Sequence, residues 1–433
     1  GDQRDPPGEA EQIRDVHRCR RRYRVTGAPR WVSVSAVQLA CFRVSTLMAS
    51  SSVMSDASVK PAVRFAAFYF AYFAYIGAYG PYIALYFDAR GFTPAQISLV
   101  LALPQIARIF VPAFWGWLAD RTGWRRAIVV ASCASTVAGF ALLPAARDLR
   151  EVLVVVGVMG LFSAAALPIV EAMTLAAIAG EPGRYGPIRL WGSLGFIVAV
   201  LGTGALLDAH PAAMLIPAVV VWASAALASA FALPSSQVRV SDASSPAFLG
   251  LLRRADVAGL LAACFCMTVA HGALYTFYTL YLVEHGYAKS LAGLLWTIGV
   301  LAEIAVFAWL PALMRRFGLR EILLASFLAA GLRFAAIGWG VESLAVLVAA
   351  QLLHAATFGT FHAASVAAVN RAFAGALQVR GQALYTSLAY GLGGSGGALL
   401  AGLAWAPLGA SWTFTISSGF GVAGAVLVWR CMR

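Results

Sequence analysis

Long apolar runs recur from residue 63 to the carboxyl end, and they limit the fold more than any other feature of the chain. Each is about 20 residues long, enough for a helix to cross a bilayer. In hydrocarbon every backbone N–H and C=O must find a partner within the protein, so such runs fold as helices. The alternating strand-length segments that a barrel would need are absent. The chain is 61% hydrophobic and 12% charged, where a soluble domain carries about 25% charged residues. The runs cover 63–87, 94–119, 127–145, 152–179, 188–207 and 211–233, then 257–283, 290–314, 322–340, 344–373, 383–404 and 412–429. The expected fold class is an all-α membrane protein of twelve transmembrane helices: a six-helix bundle over 61–233, a cytoplasmic linker over 234–255 and a second six-helix bundle over 256–433.

Lys and Arg set the expected orientation. With the amino end inside, the inner turns hold Arg121, Arg125, Arg126, Arg315, Arg316 and Arg320 among many others, while the outer turns hold Arg90, Arg147, Arg150 and Lys289. This fits the positive-inside rule with both termini cytoplasmic. The formal charge of +13 is therefore topological and implies no nucleic-acid partner. Residues 1–60 are of another kind, polar at first, with a basic knot at Arg18, Arg20, Arg21, Arg22 and Arg24. They read as a disordered arm or as sequence preceding a true start at Met48 or Met54, so removal of residues 1–53 is expected to leave activity intact. Cys41, Cys133, Cys264, Cys266 and Cys431 lie in or beside apolar runs without ligand spacing, so neither a metal site nor a disulfide framework is expected.

The chain also repeats itself. A shift of 195 residues lays Ala78 on Ala273 and matches Leu85 to Leu280, Tyr86 to Tyr281, Gly91 to Gly286, Ala107 to Ala302 and Gly123 to Gly318. Parallel six-helix repeats with a solute site between them near the midplane build many secondary transporters. The same shift sets Arg108 opposite Glu303.

Charges inside the runs carry the chemistry, because an isolated charge in hydrocarbon is costly and faces a partner or a wet cavity. Glu171 and Arg189 flank the turn at 180–186 and can meet if their helices lie side by side, either as a structural brace or as a solute site. Glu303 and Arg333 form a second potential pair with the same two readings. The first run carries an aromatic stripe, Phe68, Tyr72, Tyr75, Tyr79, Tyr82 and Tyr86, spaced to keep one helical face. With His271, Tyr275 and Tyr278 it reads as a packing stripe or as an aromatic cavity wall. His354 and His362 sit about 80° apart at regular helical spacing, suited to helix–helix hydrogen bonding or to proton relay. Gly391 to Gly396 spells GxGxxG within apolar helix, which reads as close helix packing rather than a dinucleotide site. With no phosphate-binding loop, the chain is expected to use no cofactor and to draw energy from a gradient.

The turn from Gly116 to Arg126, GWLADRTGWRR, resembles the GxLaDrxGrr loop of the major facilitator superfamily, with Met314 to Gly318 as a degenerate second copy. More narrowly, Pro168 to Ala172, Tyr185 to Phe196, His354 to Ala363 and Gly381 to Tyr385 resemble the lactose permease branch and its 3-phenylpropionate permease group. The resemblance covers nearly everything from residue 61 onward. It implies the major facilitator fold, solute binding by Glu171 and Arg189, stacking by Phe196, and a role for Arg333 in proton release. The loop residues Gly116, Asp120, Arg121, Gly123 and Arg125 would act as a conformational latch. Two positions depart from the sugar permeases: Phe196 stands for their Trp, and Thr357 stands where they carry the proton-bearing carboxylate.

The resulting expectation is a proton-coupled symporter that alternates access across the inner membrane, functions as a monomer in the lipid bilayer, and is not an enzyme. Glu171, Arg189, Phe196, Arg108, Tyr72 and Tyr79 would bind solute; Glu303, Arg333, His354 and His362 would handle the proton. A sugar's hydroxyls need many polar partners, and the spans offer few amides, chiefly Gln105 and Gln351. Aromatic surface with arginines suits an arylalkanoate such as 3-phenylpropionate. The alternatives are a sugar or nucleoside symporter, an efflux antiporter and a non-transporting membrane sensor.

Overall fold

The computed structural model describes residues 56–178, 181–235 and 247–432. The arm up to residue 55, including both alternative starts, and most of the expected linker lie outside the described residues. Helices α1 (Asp56–Tyr79) and α2 (Ile83–Asp88) are followed by α3 (Pro94–Ala107), α4 (Val111–Thr122), α5 (Arg125–Leu142), α6 (Leu149–Ser163), α7 (Ala166–Ala177), α8 (Tyr185–Ala209) and α9 (Leu215–Phe231). After the linker come α10 (Ala247–Leu252), α11 (Ala255–Ala270), α12 (Gly272–Glu284), α13 (Lys289–Arg316), α14 (Leu319–Trp339), α15 (Leu344–Leu352), α16 (Phe361–Ala372), α17 (Gln378–Thr386) and α18 (Gly394–Cys431).

Among the described residues, ten helical stretches are long and apolar enough to cross a membrane. The last of these, Gln378–Cys431, has 54 residues. At about 1.5 Å per residue it is more than twice the thickness of the hydrocarbon layer. It does not run straight: Gly409, with φ 81° and ψ 168°, folds it into two legs just after Pro407.

The internal repeat is visible in the backbone. Gly91 N–H donates to Asp88 C=O at 2.8 Å and Phe92 N–H to Phe87 C=O at 3.1 Å, around a φ of 80° at Gly91. Residues 195 positions later do the same: Gly286 to Val283 at 3.0 Å and Tyr287 to Leu282 at 3.1 Å, with φ 81° at Gly286. A left-handed glycine is needed at both turns because a side chain there would be strained.

The segments before and after the linker meet where α8 packs on α13, α18 on α3 and α12 on α2. The α8–α13 contact is backbone-close. A Cβ at Gly204 would sit 2.7 Å from the Lys289 carbonyl, and one at Gly293 would sit 2.8 Å from the Val200 carbonyl. Tyr82 fills the remaining space and donates to Val200 C=O at 2.8 Å and to Lys289 C=O at 3.2 Å. The first turn of α13 has Ala288 at its N-cap, which offers no side-chain acceptor. Asp208 of α8 supplies the acceptors instead, taking Lys289 N–H at 2.7 Å and Ser290 N–H at 3.0 Å. A carboxylate at a helix N-terminus satisfies orphan donors and complements the helix dipole.

Several long helices are interrupted near mid-length. α3 gives way to α4 through turn residues 108–110, and α6 gives way to α7 through 164 and 165. Two segments widen to π-helix, Ala355–Thr360 between α15 and α16, and Ser387–Gly393 between α17 and α18. Such π-bulges are rare and concentrate at functional sites.

Candidate transport site at the helix interruptions

Arg189 lies in the second turn of α8 and Glu171 in the middle of α7, and both are half-buried. They lie within electrostatic range of each other but do not form a contact ion pair. The guanidinium instead covers aromatic faces of α1, 3.9 Å from the Phe73 ring centre and 5.5 Å from that of Tyr69. Such cation–π contacts hold a guanidinium in place without neutralising it. Tyr69 is itself held by a 3.3 Å hydrogen bond with Thr174 of α7. Tyr69 and Phe73 stand off the aromatic stripe read from the sequence. Their four-residue spacing on one helix was the signal that could have marked them as a platform for a cation.

The same arginine also acts electrostatically on Glu303 and His362. Residues from both sides of the linker thus share one neighbourhood. Phe196, two turns after Arg189, is half-buried, and its backbone lies directly against Gly77 of α1. On the stripe, Tyr72 is buried, stacks on Phe68 at 5.6 Å and meets Tyr75 edge-on at 5.2 Å. Tyr79 meets Phe140 of α5 at 5.0 Å. Arg108 stands at the α3–α4 interruption, is exposed, and has no carboxylate in ion-pair contact among the described residues.

Beyond the linker, Arg333 of α14 is fully buried. The reading that joined it to Glu303 is corrected by the structure. Arg333 donates to three neutral acceptors: Ala350 C=O at 2.9 Å, Thr357 Oγ1 at 2.9 Å and Gln351 Oε1 at 3.1 Å. Glu303 faces His354 instead, with Oε2 and Nε2 3.7 Å apart. The Thr357 hydroxyl, at the position where the sugar permeases have a carboxylate, is thus used to hold the arginine.

Regular helical spacing also misplaces the two histidines. The π-turn Ala355–Thr360 lies between them and winds more widely than an α-helix, so each fourth residue falls nearly in line. His354, Phe358 and His362 form one stacked column, with centroid spacings of 5.3 and 6.1 Å and interplanar angles of 7° and 10°. From the end of that column His362 Nδ1 shares a 2.9 Å hydrogen bond with the Tyr390 hydroxyl, which lies 3.4 Å from that of Tyr385. Tyr390 stands on the second π-turn. A half-buried carboxylate beside an imidazole, and an imidazole beside a phenol, are groups that can pass a proton.

The loop after α4 is closed by its own chemistry. Gly123, at φ 74°, ends the helix and lets the chain turn into α5. The buried Arg125 pairs with Asp120, and Arg121 lies over Trp117 at 5.6 Å. Gly116 faces open space. The GxGxxG stretch has no strand before it. Gly391 packs on Ile109, and Gly393 on Thr268 and the Phe265 carbonyl. Among the described residues no group of three or more metal-ligating side chains is present.

Comparison with known proteins agrees with this geometry. The chain is 28% identical over 335 residues to the probable 3-phenylpropionic acid transporter of Escherichia coli (strain K12), covering 75% of this chain and 86% of that protein. It is 29% identical over 283 residues to the maltose permease of Geobacillus stearothermophilus, covering 63% and 70%. The crystal structure of the nucleoside transporter NupG superposes with a TM-score of 0.75 at 16% identity, over 88% of this chain and all of that one. This likeness establishes the shared fold. Residues 62–416 match the MFS_1 like family, and the chain belongs to that family, within a 3-phenylpropionate permease-like group of the major facilitator superfamily.

Proposed function

We propose that the chain is a proton-coupled symporter that imports a small aromatic carboxylate across the bacterial inner membrane by alternating access. One observation carries the reading. Arginines that lack a contact carboxylate, Arg108 and Arg189, sit beside aromatic rings at the interruptions of membrane-length helices. Cations placed so are available to an anion with a ring. The probable 3-phenylpropionic acid transporter among the relatives supports the same solute class. In this reading twelve helices form two six-helix bundles with both termini cytoplasmic. Glu171, Arg189, Phe196, Arg108, Tyr72 and Tyr79 bind the solute. Glu303, His354, His362 and Arg333 handle the proton, and the Asp120–Arg125 loop latches one conformation. The protein works as a monomer.

The α8–α13 contact at Gly204 and Gly293, with Asp208 capping α13, closes the outer end in this orientation. A second reading, symport of a sugar or nucleoside, is favoured by buried polar atoms without partners, His271 Nε2 and His354 Nδ1, which a hydroxylated solute could engage.

Reconstituted protein tests the first reading directly. Vesicles under an inward proton gradient should accumulate labelled 3-phenylpropionate and lose the accumulation on addition of a protonophore. Accumulation that ignores the protonophore would refute coupling, and accumulation of maltose or a nucleoside in its place would transfer the assignment to the second reading.

A further inference from the structure

The two unpaired arginines are not equivalent, and the difference divides their labour. Pro112 has no N–H to donate to the Arg108 carbonyl, so the helix cannot continue and α3 ends at Ala107. The next carbonyl, that of Ile109, accepts instead from Ser387 Oγ at 2.8 Å, and Gly391 packs against the same residue. Arg108 is therefore fixed where α3 breaks against the π-turn Ser387–Gly393, which carries Tyr390.

The groups on which its charge acts are neutral hydroxyls from both sides: Tyr72, Tyr75 and Tyr79 of α1, and Tyr390. One turn earlier, on the same face, the side-chain oxygen of Gln105 is buried without a hydrogen-bond partner, beside Gly394. Its amide can present either oxygen or N–H by a half-turn. Arg189 stands differently. Its face is covered by Phe73, and two carboxylates, Glu171 and Glu303, already lie within its electrostatic range. A third anion at Arg189 would meet their repulsion, whereas an anion at Arg108 would be the first.

We infer that Arg108, not Arg189, is the counter-charge for the solute's carboxylate, with Gln105 as its second polar contact and Tyr72, Tyr79 and Tyr390 around it. This rests on the aromatic-acid reading above and deepens it. Arg189 is left to respond to Glu171 and Glu303 as the proton comes and goes.

The test compares 3-phenylpropionate with its neutral analogue 3-phenylpropionamide, by calorimetry on the full chain in lipid nanodiscs. Wild type should prefer the acid by about 10- to 100-fold, as a charge-assisted contact would give. Arg108→Gln should bind acid and amide alike. Arg189→Gln should keep the preference. Arg108→Lys retains the charge and should keep a reduced preference, which separates loss of the contact from loss of the fold. An Arg108→Gln protein that still prefers the acid, with the preference lost in Arg189→Gln, would overturn the assignment while leaving the aromatic-acid reading intact. A wild-type protein that binds neither compound, or both equally, would overturn that reading and the assignment with it.

Discussion

Arg333 and Arg189 are the same side chain in apolar helices of comparable length, and they are treated in opposite ways. Arg333 is sealed from solvent, and its guanidinium is engaged by a carbonyl, a hydroxyl and an amide. Arg189 keeps part of its surface, leans on two rings and has no hydrogen-bonded anion. The first is a cation whose bonds are already made, and the second is one whose bonds are still to be made. Burial alone does not mark a functional charge in a membrane protein; unspent bonding capacity does. Arg108, on the same side of the linker as Arg189, follows its pattern.

The contrast can be broken by exchanging the two fates. Arg333→Met should give the largest loss of stability, about 3 kcal/mol from stranded acceptors, read as a lower melting temperature of the purified protein. Adding Gln351→Met and Thr357→Val to it should recover much of the loss, because the stranded partners are removed as well. A melting temperature unchanged in Arg333→Met would show that the three bonds do not stabilise the bundle. Arg189→Gln should leave melting within about 1 kcal/mol of wild type, the value of a partly exposed cation–π contact, while abolishing accumulation of solute in vesicles. Collapse of the fold in that variant would make Arg189 a brace after all. Thr357→Val removes one of three bonds and should cost about 1 kcal/mol with solute affinity unchanged; altered affinity would show that Thr357 also touches the solute.

How much of this was legible in the sequence follows from what each feature depends on. Hydrophobic length is local, so the apolar runs were readable, and so was the glycine-marked turn at Gly91 and Gly286, because only a residue without a side chain adopts that backbone cheaply. The Asp120–Arg125 pair lies within one short loop and was readable for the same reason. The π-turns were not: a reading at constant helical pitch has no means of seeing a change of pitch, and it set His354 and His362 apart. The partner of Glu303 depended on that pitch and was lost with it. The interruption at Arg108 had a local signal in Pro104 and Pro112 that a hydropathy reading passes over. Asp208 capping α13 joins residues 81 apart, and nothing near either residue announces it.

The column of His354, Phe358 and His362 has a consequence for how the chain tolerates change. Its alignment is a matter of phase rather than of composition. Loss of a single residue between Ala355 and Thr360 would let the helix return to ordinary winding and swing all that follows, as far as Ala372, by about 100°. His362 would leave Tyr390 although every side chain in the column was retained. Replacement of one residue by another at the small positions between the rings leaves that angular setting alone. Counting residues in this stretch is therefore a stricter test of kinship with this protein than matching them.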